Sequence, residues 1–166
     1  DIGGNISVSG GNDADTVSGG TVGGNVLMSF GNDTFDWTGG GVLRGAVDLG
    51  EGDDRARLTN LGPDQVAAFT AFQAGLGTDR LDMSNVKLAG VERLLNWEQV
   101  NLAGGSELTM DGTLTLGDTA TGTGALNVGA GSALLAGGGS GRVAALGAGQ
   151  LATVTNAGRI DLSNGG

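Results

Sequence analysis

Carboxylates at a regular spacing are the side chains in this sequence most able to do chemistry. Gly11-Asn12-Asp13, Gly31-Asn32-Asp33 and Gly52-Asp53-Asp54 recur at intervals of 20 and 21 residues, and Gly77-Thr78-Asp79 follows after an interruption. Three roles fit aspartates so placed. Asp33, Asp54 and Asp79 are candidate calcium ligands, since hard cations take oxygen donors. Asp53 with Asp54, or Asp79 with Asp82, are candidate acid–base pairs for glycoside cleavage. In the third role the aspartates sit at chain corners and accept hydrogen bonds from backbone N–H groups. Calcium wants about six to eight oxygens, and one acidic unit in about twenty residues is sparse for closing such a cage. Adjacent strand residues point to opposite faces, which separates Asp53 from Asp54 if that stretch is extended. No His or Lys stands near these carboxylates to tune them. Corner capping is the expected role, with no enzyme activity, no cofactor and no metal.

The rest of the composition narrows the choice further. The chain has no His and no Cys, which removes Ser-His-Asp and Cys-His catalysis and the usual ligands of zinc and haem. Its formal net charge of −10 repels phosphate backbones, so no nucleic-acid partner is expected. The acidity is uneven. Residues 1–54 hold nine carboxylates against the single base Arg44, whereas the only charges in 112–166 are Asp118, Arg142, Arg159 and Asp161. Any cation site belongs in the first third or just after it. No apolar run approaches the ~18 residues of a membrane span, and Asp1-Ile2-Gly3-Gly4 does not read as a signal peptide. The chain is expected to be either cytosolic or a mature or excised piece of an exported protein.

Glycine supplies 36 of 166 positions and proline only Pro63, a composition that disfavours helices. Between glycines lie segments of four to six residues, and many alternate. Leu108/Met110, Leu114/Leu116, Leu126/Val128 and Ile160/Leu162 are two apart with polar residues between them. That is the mark of short strands with one buried face. Such strands recur about every twenty residues rather than every ten, so hairpins fit poorly and a coil of stacked rungs fits well. Toward the C-terminus two interleaved sets of glycines keep the period: Gly117, Gly137 and Gly158, and Gly129, Gly147 and Gly165. The expected fold is an all-β parallel β-helix, one solenoid over 1–166, with Gly and Asn turning its corners. Acidic rungs would span 1–58, an insertion 59–76 and further rungs 77–166. Within the insertion, Pro63 at a first helical position and apolar Val66, Phe69 and Phe72 predict a helix of two to three turns over 62–74, packed on the outside or across a corner. Trp37 and Trp97 are expected in the core or at corners rather than as binding platforms. The regular, almost uncharged alternation after residue 100 predicts that the C-terminal half is the steadier end.

The stretch from Gly31 to Asp54 resembles the repeated strands of bacterial autotransporter passenger domains. So do Trp97–Leu102 and Ser106–Leu116, and Val154–Gly165 resembles a stretch found late in such passengers. The resemblance implies a right-handed parallel β-helix exported across the outer membrane of a Gram-negative bacterium by type V secretion. It further implies a C-terminal β-barrel translocator in the parent protein and an extracellular or cell-surface location. As a stalk or adhesin, and a virulence factor, it would attach to a host-cell or matrix component, or to another bacterium. Two alternatives stand beside it. Gly75–Leu81 resembles the latter part of the calcium-binding RTX nonapeptide, and Gly50–Ala56 does so less closely, which would make the chain a β-roll. The second alternative is a β-helical polysaccharide-degrading enzyme.

Overall fold

A computed structural model describes residues 1–118, 123–139, 141–146, 150–161 and 163. The chain winds as a succession of short strands. The first three are β1 (Ile6–Ser7), β2 (Ala14–Val17) and β3 (Thr21–Val22), followed by β4 (Val26–Leu27), β5 (Thr34–Thr38) and β6 (Val42–Leu43). Then come β7 (Val47–Glu51), β8 (Arg55–Leu61), the helix α1 (Pro63–Val66), β9 (Phe72–Leu76) and β10 (Arg80–Leu88). A 3-10 turn at Val91–Arg93 leads to β11 (Leu94–Leu95), β12 (Gln99–Ala103) and β13 (Glu107–Met110). The last six are β14 (Thr113–Leu116), β15 (Gly124–Val128), β16 (Ala133–Ala136), β17 (Arg142–Ala145), β18 (Ala152–Asn156) and β19 (Arg159–Asp161).

These strands stack on one another in parallel rather than folding back as hairpins. One side of the coil is β1-β4-β7-β9-β11, and the next is β2-β5-β8-β10-β12-β15-β18. The third begins as β3-β6 and continues as the far end of β10 with β13, β16 and β19. The all-β parallel β-helix read from the sequence is thus the fold observed.

Alternation sets which side chains enter the coil. In β5, Phe35 and Trp37 are fully buried while Thr34, Asp36 and Thr38 face outward. Register repeats this turn after turn, giving interior columns Val17-Trp37-Leu58-Met83-Leu102-Val128 and Phe35-Ala56-Leu81-Val100-Leu126. Trp97 and Phe72 pack edge-to-face at 5.2 Å, Phe72 and Phe35 at 5.8 Å, and Trp37 and Phe69 at 6.0 Å. Each indole N–H is used, Trp37 donating to the Gly41 carbonyl and Trp97 to that of Phe72, both at 3.0 Å. Both tryptophans are core residues, as expected.

The insertion differs from its sequence reading. Only Pro63–Val66 is helical, and regular strand resumes at Phe72, so the irregular stretch is 62–71. The spacing of Val66, Phe69 and Phe72 fits a longer helix, but sheet pairing claims the chain first. Thr70 donates its N–H to Gly45, and Ala71 accepts from Val47, which seats Phe72 in the column between Val47 and Leu94. Phe69 enters the core beside Trp37, so the insertion seals the coil rather than projecting from it.

Candidate functional site

The recurring Gly-x-Asp corner lies between the first and second sides of the coil. Its glycines turn the chain with φ of 129° at Gly31, 138° at Gly52 and 146° at Gly77. A methyl at Gly52 would sit 2.1 Å from the Gly31 carbonyl oxygen, so stacking itself demands glycine here. Beyond each glycine the backbone leaves the sheet, and two N–H groups per turn need partners.

Side chains supply them in two ladders of opposite sense. In the outer ladder the side chain reaches to the later turn: Asn12 Oδ1 accepts from the N–H of Asn32, Asn32 Oδ1 from Asp53, and Asp53 Oδ1 from Thr78, at 2.8–2.9 Å. In the inner ladder the side chain reaches to the earlier turn. Asp33 Oδ1 accepts from Asp13 at 2.8 Å, while Asp54 Oδ1 from Asp33, Asp79 Oδ1 from Asp54, and Glu98 Oε2 from Asp79 are all at 2.7 Å. Asp118 lies at the same corner, its Oδ2 accepting from Gly77 at 3.4 Å.

The inner ladder is buried. Asp33, Asp54 and Asp79 are 1–2% exposed, and the Oδ2 of each is buried without a hydrogen-bond partner. Burial pushes all three carboxyls up. The N–H that each accepts works against this, and neighbouring carboxylates reinforce it. Asp54 is raised to about 6 and Asp79 to about 7.

The corner therefore brings the three calcium candidates, Asp33, Asp54 and Asp79, into one column, with Oδ1 of each occupied by a backbone N–H. Among the described residues no group of three or more His, Cys, Asp or Glu side chains is placed to hold a metal ion. The proposed acid–base pairs are not brought together. Asp53 is in the outer ladder and Asp54 in the inner one. Asp79 is interior, whereas Asp82 faces outward among Arg55, Arg80 and Asn101.

That outward face of β5, β8, β10, β12 and β15 carries a second polar array. Along the stack, Asp36 pairs with Arg57 at 3.1 Å, and Asp82 with Arg55 at 2.6 Å and Arg80 at 2.8 Å. Asn101 donates to Asp82 at 2.9 Å and Asn127 donates to Asn101 at 2.8 Å. Burial opposes the charge on Asp82, but its three donors outweigh it and hold the carboxyl below the usual range. Arg55 and Arg80 stack in register, and Asp82 relieves that repulsion by binding both.

Sequence reasoning missed Glu98 and Arg93. Glu98 lacks the preceding Gly-x and comes 19 residues after Asp79, but its acid type at about one period was a usable signal. Arg93 straps the insertion down: its Nη1 donates to the carbonyls of Val66 at 3.0 Å and Phe69 at 2.7 Å, and its guanidinium lies 3.9 Å from the Phe69 ring centre. No helix among the described residues is long and apolar enough to cross a membrane. The chain matches no family model, no curated protein and no solved structure.

Proposed function

We propose that this chain is a non-enzymatic stalk and adhesin segment of a surface-exposed or secreted Gram-negative passenger. One observation carries the reading: the second side of the coil stacks in unbroken register from β2 to β18. Stacking of this kind makes a stiff rod from units that cannot stand alone, which suits a spacer. The rod's outer face carries Asp36, Arg57, Asp82, Asn101 and Asn127 in one column, with Asp36 bonded to Arg57 and Asp82 to Arg55 and Asn101, which in turn accepts from Asn127. Such a face is polar and regular, and its alternating signs suit contact with a polar matrix surface or with another copy. The insertion is folded down on the core, so the face rather than a projecting loop is the contact surface in this reading. The parent protein would carry its own C-terminal barrel translocator, as the resemblance to autotransporter passengers implies.

Adhesion is the test. Beads coated with the folded chain should attach to host cells or extracellular matrix, or cluster with one another, at several times the level of uncoated beads. Attachment no greater than the uncoated control, or turnover of a polysaccharide by the chain, would contradict it.

A further inference from the structure

The interior aspartates cap the corners with Oδ1 alone, and neither a stalk nor an adhesive face uses their buried Oδ2 atoms. We propose that the column Asp33-Asp54-Asp79 is a proton-binding site: it takes up protons as the medium turns mildly acidic, and the protonated column holds the middle turns more tightly than the ionised one.

The geometry behind this is a stack of acids on which, among the described residues, only further acids act as charged neighbours. Successive turns lie about 4.8 Å apart, so ionised neighbours repel one another where burial weakens solvent screening. Each carboxyl has one oxygen committed to a backbone N–H and one, Oδ2, buried and unpartnered. A proton on Oδ2 removes the charge and leaves the Oδ1 bond intact. The groups facing the column add to its need. Asp13 and Asp15 face Asp33, and Asp48 and Asp53 join Asp33 around Asp54. Asp53, Asp54 and Glu98 face Asp79, with Asp118 on the Gly77 amide beside it. Arg55 and Arg80 follow Asp54 and Asp79 in sequence but turn outward to Asp82. The raised values of about 6 for Asp54 and about 7 for Asp79 agree with this placement.

The sign follows from linkage. The native carboxyls hold protons that the unfolded chain releases near its ordinary range of about 4, so the folded state binds more protons between about pH 4 and pH 7. Stability is then full below that range and is lost as pH rises through the native values.

Thermal unfolding of the whole chain tests it. The melting temperature should fall by several degrees from about pH 5 to about pH 8, and Asp54→Asn with Asp79→Asn should flatten that slope and melt above the parent at the higher pH. A parent whose melting temperature is constant or rises over the same range would overturn the proposal. Infrared spectra of the unaltered chain give a readout that needs no variant. A protonated-carboxyl stretch should be present in mild acid and vanish on raising the pH, and its absence in mild acid would overturn the proposal as well. Calcium added to chelated protein should leave the melting temperature nearly unchanged. A rise of many degrees would assign the column to a cation instead of protons.

Discussion

Asp54 receives the buried backbone N–H of Asp33 on its Oδ1 at 2.7 Å, across one full turn of the coil. The bond links residues 21 apart in sequence, and every neighbouring turn repeats it. It gives each corner a partner that sheet pairing cannot supply, and it makes a charged side chain part of the interior.

Removing that acceptor should therefore matter more than removing its charge. Asp54→Ala leaves the Asp33 N–H buried and unpaired and should lower stability by about 1–3 kcal/mol. Asp54→Asn keeps an oxygen in place and should stay within about 1 kcal/mol of the parent. Urea denaturation in mild acid, where the charge contributes least, would distinguish the two.

Gly11 and Gly52 share a φ of 138° but differ in surroundings. A methyl at Gly11 meets nothing within 4 Å, whereas one at Gly52 would strike the Gly31 carbonyl at 2.1 Å. Gly11→Ala should cost backbone strain alone, about 1–3 kcal/mol, and Gly52→Ala clearly more. Equal losses in denaturant titrations would mean that turn-to-turn contact does not select these glycines.

Arg93 is the strap whose loss should free the insertion. Arg93→Ala removes its bonds to Val66 and Phe69 and its stacking on the Phe69 ring, at about 1–3 kcal/mol. Limited proteolysis should then cut within 62–71 faster than in the parent. Arg93→Lys should rescue only in part, because an ammonium lacks the planar fork.

Protection from hydrogen exchange should be greatest between residues 35 and 102. There the aromatic cluster of Phe35, Trp37, Phe69, Phe72 and Trp97 fills the coil. On the last described turn Val154 is 42% and Ile160 44% exposed. The even alternation after residue 100 suggests a steadier C-terminal half, but alternation reports strand character and not how well a strand's inner face is covered. Slower exchange over 142–161 than over 35–102 would overturn this ordering.

The sequence shows the solenoid clearly because stacking forces a fixed period on Gly31, Gly52 and Gly77, and because strands with one buried face must alternate. The corner aspartates are legible for the same reason. What the sequence hides is anything set by contacts between turns. The helix after Pro63 stops early because Gly45 captures Thr70 and Val47 of β7 captures Ala71, a pairing no local pattern announces. Glu98 joins the ladder without the Gly-x that marks the other corners, and only its spacing of 19 residues from Asp79 points to it. Arg93 meets Val66 from 27 residues away. The opposite sense of the two ladders also depends on which turn each side chain reaches, and adjacent residues such as Asn32 and Asp33 give no hint of it.

Adhesion by the outer face is tested most directly by comparing three bead preparations. One carries the parent chain, one carries Arg57→Ser with Arg80→Ser on the outer face, and one carries Arg93→Lys at the strap that holds the insertion. Circular dichroism would first establish that all three remain folded. An adhesive outer face requires that parent and insertion-variant beads attach or cluster alike and that the outer-face variant loses most of that attachment. Attachment unchanged by the outer-face substitutions, or lost only with the insertion variant, would contradict it.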